Sequence, residues 1–312
     1  MKKQKIILYG RTGKELALEI HKSFSRIPTV PVDLKIFPDG ELKPVIFPEI
    51  LTGKRVIYIH STYPPAENLI EFFLTLNALE NSLKKTKTEI IVISPYFGYT
   101  RQDRIDIPGV SFSLKWIADS ISKVVNRLIF IDLHNPSSLP LFPSAKNILP
   151  IHLFSSYLKT NFSYLLRNAR VVSPDSGAAR KNRNLASSLS LSLSILDKRR
   201  DIYSGEITFH GIKGKLKKGE NIIIWDDILA SGGTFLKGIE ILKEKEVGKI
   251  VLIITHLVSF LIKENKIPQI LKEVELIITT DSIPCPSDLR KNSKIHILSL
   301  SPLIQQIIKN LV

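Results

Sequence analysis

The sequence predicts an α/β protein with mostly parallel sheets flanked by helices, divided into two domains. Two observations carry this. Short β-branched runs alternate with amphipathic helical patterns along the whole chain, the mark of βαβ units. The length of 312 residues also suits two domains of ~150 residues each. The expected strands are residues 5–9, 56–60, 90–94, 128–132, 170–173, 194–196, 222–225, 250–255 and 276–279, each a short apolar run rich in Ile, Val or Leu. The expected helices are 13–24, 66–84, 113–124, 152–158, 178–188, 234–245 and 303–309. Leu69, Phe72, Phe73, Leu76 and Leu79 recur at helical spacing and mark a core face. Pro140, Pro143 and Pro150 form a turn-rich joint. The domains are therefore drawn as 1–148 and 149–302, with 303–312 a candidate to pack back on the first. A faint duplication is read between Leu128–His134 and Ile222–Asp227, two strands that end in acidic residues.

Hydrophobic content of 44% supports buried cores, and 23% charged residues is ordinary for a soluble globular protein. The net charge of +15 fits either nucleic acid or anionic small molecules. Basic residues are spread along the chain, densest at 180–183, 198–200 and 213–218, without zinc-finger spacing or an aromatic RNA-binding signature. Small anions are therefore favoured and nucleic acid is not expected. The single Cys285 lies between two prolines, so no intramolecular disulfide forms, a reducing compartment is expected, and the thiol reads as inert. The N-terminal apolar run is too short for a secretion signal, and the stretch 250–262 falls below the ~18 residues of a membrane span. A cytosolic protein without a membrane partner is expected.

The most informative junction is Ile222-Ile-Ile-Trp-Asp226-Asp227-Ile-Leu-Ala230-Ser231-Gly232-Gly233-Thr234. A strand runs into two carboxylates, then a small-residue turn, then a helix. Backbone N–H groups of such a turn and the helix N-terminus suit a phosphate, and paired carboxylates suit ribose hydroxyls or metal-bound waters. The competing reading is an ordinary strand-to-helix junction. Phe37-Pro-Asp39-Gly40-Glu41 is either an exposed turn or a base site, with Phe37 stacking and the carboxylates accepting from an amino group. Tyr96–Arg104 follows a strand and brings Arg101, Gln102 and Arg104 toward phosphates or a nucleotide, or is a solvated charged loop. His134 and Asp175 could share a hard cation, although their spacing makes no metal motif. His60 and His256 read as structural. Lys198 and Arg200 stand at the mouth of a polar loop, residues 201–210, that could close over a polyphosphate, or they belong to a charged turn. Gly10-Arg-Thr-Gly13-Lys14-Glu15 fails the phosphate-loop pattern in both glycine spacing and the residue after Lys.

Taken together, residues 37–41, 61–65, 96–104, 132–134, 173–177, 197–200 and 226–234 resemble, in order, the motifs of ribose-phosphate pyrophosphokinases, also called phosphoribosyl pyrophosphate synthetases. The resemblance implies two type I phosphoribosyltransferase-like domains with the active site between them. It implies that Phe37, Asp39, Gly40 and Glu41 hold adenine, from a neighbouring subunit of a homo-oligomer (dimer, tetramer or hexamer). Arg101 and Gln102 would bind ATP with Asp103 nearby, and His134 and Asp175 would hold Mg²⁺. Lys198 would be the main catalytic cation and Arg200 its partner, contacting ribose 5-phosphate as well. Asp226 and Asp227 would take the ribose hydroxyls, and Ala230, Ser231, Gly232, Gly233 and Thr234 the 5-phosphate. The reaction implied moves the β,γ-diphosphate of ATP to the anomeric hydroxyl of ribose 5-phosphate, giving 5-phosphoribosyl 1-diphosphate and AMP. The chain departs from the family pattern at Ile105–Ser113, at Leu257–Leu261 and at Ala230. The alternatives are a phosphoribosyltransferase, which has no use for residues 37–41 or 101–102, and a non-catalytic homologue, which would lose the charged groups this chain retains.

Overall fold

The computed structural model describes residues 3–142, 144–200, 207–258, 261–262 and 265–311. The chain divides into one compact unit of Met1–Ile148 with Ser299–Val312, and a second of Leu149–Leu298. The break falls before residue 303 because Ser299 already belongs to the first unit: its hydroxyl donates to Glu19 Oε2 at 2.8 Å and accepts from Ser301 N at 3.1 Å.

The first unit holds β1 (Lys5–Tyr9), α1 (Lys14–Ser23), β2 (Thr29–Pro31), β3 (Asp33–Ile36), β4 (Leu42–Val45), α2 (Pro48–Leu51), β5 (Arg55–Ile59), α3 (Glu67–Leu83), β6 (Glu89–Ser94), α4 (Ser113–Ile121), β7 (Arg127–Ile131) and β8 (Lys146–Ile148). Its main sheet is parallel, in the order β2-β1-β5-β6-β7-β8, and β3–β4 is a separate antiparallel hairpin. The strands β1, β5, β6 and β7 are buried on both sides, which is why they read as near-continuous apolar runs. Leu8, Tyr58, Val92 and Phe130 pack with Phe72 and Leu76 of α3 and Ile117 of α4.

The second unit holds α5 (Ile151–Asn161), α6 (Ser163–Leu166), β9 (Ala169–Ser173), α7 (Ala179–Leu189), β10 (Ser192–Arg200), β11 (Ile207–Lys213), β12 (Asn221–Leu229), α8 (Gly233–Glu244), β13 (Ile250–Leu257), α9 (Ile267–Glu273), β14 (Leu276–Thr280), α10 (Ser287–Arg290) and β15 (Ile295–Leu298). The last helix, α11 (Ser301–Asn310), returns to the first unit. The sheet order is β11-β10-β9-β12-β13-β14-β15, parallel except for the edge strand β11. Side chains alternate across it: Ile222 and Ile224 join the core with Ile239 and Leu242 of α8, and Ile223 and Trp225 the core with Phe154 of α5 and Leu185 of α7.

The two units repeat one topology. The chain enters a central strand (β1 or β9), steps to one side (β2 or β10), and makes an antiparallel excursion (β3–β4 or the outer part of β10 with β11). It then crosses to the other side of the central strand and adds four strands outward (β5–β8 or β12–β15). This corrects the duplication expected from strand ends. The partner of β12 is β5, and β7 answers to β14. Asp132 after β7 donates its N–H to Ile148 O at 3.0 Å, and Asp281 after β14 donates to Leu298 O at 3.0 Å. In each unit the order reverses beside the central strand, and ligands of open α/β sheets bind outside the strand ends at such a point.

Several short elements were not expected: β2, β3, β4, β8, β11 and β15, and the helices α2, α6, α9 and α10, each too short or too mixed in pattern to stand out. The Walker-like segment is a helical turn. A Cβ on Gly13 would lie 2.1 Å from Ile59 O, so that glycine serves packing rather than phosphate.

His60 and Glu71 face each other inside the first unit, fully buried. The Arg11 Nε lies 3.4 Å from Glu71 Oε2, Arg11 N donates to Glu71 Oε1 at 2.7 Å, and His60 Nε2 lies 2.8 Å from Asn68 O. Burial lowers the His60 pKa from 6.5 to about 4, while burial raises that of Glu71. The unfolded histidine takes a proton near 6.5 and the folded one only near 4, so this contribution to stability is complete above pH 6.5 and is lost as pH falls toward 4. The loss amounts to about 3 kcal/mol. Urea unfolding from pH 7 to 4 should show this slope, and His60→Gln should remove it. An unchanged slope in the variant would assign it elsewhere. Glu71 acts in the opposite sense, its contribution falling as pH rises through its raised value.

Candidate active site

The second unit gathers most of the charged candidates around the ends of β9, β10 and β12. Asp226 and Asp227 lie within β12, whose pairing with β13 continues past them (Asp226 with Ile254, Ile228 with His256). Alternation places Asp226 on the face of Ile224 and Asp227 on that of Trp225. Asp227 N donates to Asp226 Oδ1 at 2.9 Å. Burial, then the neighbouring Asp227 charge, push the Asp226 carboxyl well above the usual carboxylate range, against the pull of Lys181.

Lys198 and Arg200 are on a strand, not in a turn. β10 runs through Arg200 and pairs with β11, with an irregularity at Asp197/Lys198. The ladder prolongs the strand beyond its apolar part, which ends at Leu196. Lys198 Nζ lies 2.7 Å from Asp175 Oδ2. Asp175 follows β9 and accepts from Ala178 N at 2.9 Å. Burial raises its carboxyl, but Lys198 and that N–H together outweigh burial and leave it below the ordinary range. The side chain of Arg200 and residues 201–206 of the expected loop lie outside the described residues.

The small-residue turn behaves as its sequence suggests. Gly232 sits at φ +88° at the start of α8, and no side chain caps the helix. A Cβ on Gly232 would meet Ile270 Cδ1 at 2.9 Å, whereas one on Gly233 would meet nothing within 4 Å. Leu236 N donates to Gly232 O at 3.1 Å, so the earlier N–H groups of the turn point out of the helix end. Lys198, Asp226 and Thr234 line one open cleft with Pro174, Leu196, Ile224, Phe235 and Gly238. Gly232→Ala adds a left-handed strain of about 1–2 kcal/mol and a clash with Ile270. It should weaken binding of a phosphate-bearing ligand about tenfold or more by calorimetry, and wild-type affinity would exclude a role for this turn.

The sequence reading missed Lys181 as a site residue. It lies on α7, 3.8 Å from Asp226 Oδ1 and 3.5 Å from Asp227 Oδ1. The sequence shows only a basic group, 180–183, and nothing local indicates which member faces β12.

In the first unit, Phe37–Glu41 is the exposed tip of the β3–β4 hairpin. Gly40 takes φ +94°, Gly40 N donates to Phe37 O at 2.8 Å, and Phe37 is 45% exposed. Arg101 and Gln102 are exposed beyond β6; Gln102 Oε1 accepts from Ser113 Oγ at 2.6 Å, and Asp103 accepts from Asn135 Nδ2. Their loop is pinned to 61–65: Gly98 N donates to Thr62 Oγ1 at 2.7 Å, and a Cβ on Gly98 would come 2.6 Å from Thr62 O. The cis bond Pro64–Pro65 lies in that segment. His134 is exposed after Asp132, which holds φ +47° at the end of β7. Cys285 is buried, which raises its thiol pKa. Among the described residues no helix is long and apolar enough to cross a membrane, and no three His, Cys, Asp or Glu side chains cluster as a metal site.

Comparison with known proteins adds the lineage. Residues 5–124 match the family described as the N-terminal domain of ribose phosphate pyrophosphokinase, and 144–283 the phosphoribosyl transferase domain. A ribose-phosphate pyrophosphokinase of Pyrococcus furiosus is 33% identical over 284 residues, 90% of this chain and 95% of its own. One from Campylobacter jejuni is 34% identical over 307 residues, 97% and 94% of the two chains. The crystal structure of phosphoribosylpyrophosphate synthetase from Mycobacterium smegmatis superposes with a TM-score of 0.83 at 25% identity, over 98% of each chain.

Proposed function

The chain belongs to the ribose-phosphate pyrophosphokinase family, and from that premise we propose that it transfers the β,γ-diphosphate of ATP to the anomeric hydroxyl of ribose 5-phosphate. The observation that carries the reading is the shared cleft of the second unit, where a lysine, an acid and a phosphate-type turn converge. The turn 230–234 takes the 5-phosphate on its N–H groups and helix end. Asp226 and Asp227 accept hydrogen bonds from the ring hydroxyls, which fixes the anomeric oxygen. Exposed Phe37, Asp39, Gly40 and Glu41, as donated by a second copy, together with Arg101, Gln102 and Asp103, hold the nucleotide.

In the reaction the anomeric hydroxyl oxygen bonds to the β-phosphorus and loses its proton to solvent, the bond from that phosphorus to the α–β bridging oxygen breaks, and AMP departs with that oxygen. Little covalent chemistry is required of the protein; positioning and charge stabilisation dominate. Lys198, with Arg200, supplies fixed positive charge for the developing transition state. In the resting geometry Lys198 is held by Asp175, and it exchanges that carboxylate for phosphate oxygens as charge builds.

The acidic surplus of Asp175, Asp226 and Asp227 over Lys181 and Lys198 suits a hard divalent cation. Asp175 and His134 are the residues proposed to hold Mg²⁺. Two protein side chains suffice for such an ion, because Mg²⁺ commonly keeps several waters and takes substrate phosphates as its other ligands. Bound Mg²⁺ neutralises phosphate charge. Purified protein with ribose 5-phosphate, ATP and Mg²⁺ should release AMP only when the sugar is present. Sugar-independent AMP release, or none, would refute the reading. Wild-type activity without Asp175 and His134 would refute the metal assignment.

A further inference from the structure

We propose that Lys181 is a positioning residue for the pentose: its ammonium bridges Asp226 and Asp227 and fixes where their carboxyl groups lie, so that the pair can take two vicinal hydroxyls. The inference rests on reading the acid pair as the diol site, and adds the residue that makes the pair workable. Two adjacent carboxylates, close to the Asp175 carboxylate, repel one another, and an uncompensated pair would splay apart. The Lys181 Nζ sits between them, 3.5 Å from Asp227 Oδ1 and 3.8 Å from Asp226 Oδ1. Its side chain is only 12% exposed, so water screens this field weakly.

The placement is built by the fold. β9 and β12 pair only from Asn221 to Ile223, and beyond Ile223 the ladder between them stops. Helix α7 takes over. Asn182 Nδ2 donates to Trp225 O at 2.8 Å, and Trp225 N donates to Asn182 Oδ1 at 3.3 Å, so one amide serves both polar groups of the residue before the acids. Lys181 then lies with its Nζ 5.3 Å from the centre of the Trp225 ring, an aromatic seat for the cation. Trp225 is itself immobile, fully buried with its Nε1 donating to Thr255 Oγ1 at 3.0 Å. Lysine, tryptophan and asparagine thus form one support behind the carboxylates. Lys198 faces Asp175 instead, so the two lysines divide the work.

The test compares ribose 5-phosphate with 2-deoxyribose 5-phosphate, by calorimetry, on the wild type, Lys181→Met and Lys181→Arg. The wild type should prefer the diol about tenfold or more, the scale of hydrogen bonds to charged acceptors. Lys181→Met should reduce that preference to near unity by losing affinity for the diol sugar, Lys181→Arg should restore most of it, and ATP affinity should stay unchanged. If Lys181→Met weakens both sugars alike and keeps the preference, Lys181 is merely structural and the proposal fails. If the wild type shows no diol preference, the reading of the acid pair fails first, which is a different result. Lys181→Gln, which keeps much of the stem over Trp225, decides the question if the Met variant does not fold.

Discussion

Replacing Lys198 by Ala should lower kcat about 10²–10³-fold, the cost of removing one preorganised charge-stabilising group. KM for ribose 5-phosphate should change little, because in the proposed role the lysine acts on charge that develops only in the transition state. The geometry supports so large an effect. Lys198 is held at 2.7 Å from Asp175 and lines the same cleft as Asp226 and Thr234, so its charge is already in place. Lys198→Arg should recover part of the loss, since it keeps the charge but changes its shape. The check is steady-state kinetics of AMP formation. Turnover near wild type in Lys198→Ala would remove the lysine from the mechanism.

Trp225→Ala should destabilise the second unit by about 3–5 kcal/mol, the range for truncating a fully buried aromatic side chain. The indole packs edge-on against Phe154 at 5.5 Å, donates to Thr255 and seats Lys181. Trp225→Phe keeps most of the volume but leaves Thr255 Oγ1 without its donor, and should cost less. Both variants should also weaken ribose 5-phosphate binding, because the residue precedes the acid pair. Urea unfolding followed by circular dichroism measures the stability term. A loss below about 1 kcal/mol in Trp225→Ala would mean that the β12 junction tolerates a void, against close packing.

Much of this architecture is legible in the sequence because parallel strands buried on two faces are written as unbroken apolar runs. β13, buried along its whole length, is the clearest case. The same physics hides the excursions. β3 is largely exposed and β4 only half-buried, with Pro44 in the second, and β10 continues through charged residues to Arg200, held by the β11 ladder. No run of apolar residues marks them, although they carry Phe37–Glu41 and Lys198. The Gly-Gly turn is readable because φ > 0 at Gly232 selects the residue type locally, and the acid pair because two adjacent carboxylates interrupt an apolar strand. The duplication was visible but misaligned. A single acid at a strand end is too small a signal, and only strand order equates Asp132 with Asp281 and β12 with β5. Lys181 stayed hidden because its partners lie more than forty positions away in the chain, and helix α7 shows several basic residues with nothing to single one out.

The most direct test is ³¹P nuclear magnetic resonance of the wild-type protein with ATP, ribose 5-phosphate and Mg²⁺. The account predicts that AMP and 5-phosphoribosyl 1-diphosphate appear one for one, with the β-phosphorus of ATP now joined to the sugar. Formation of ADP with a singly phosphorylated C1, or persistence of both substrates under conditions where the protein binds them, would contradict it.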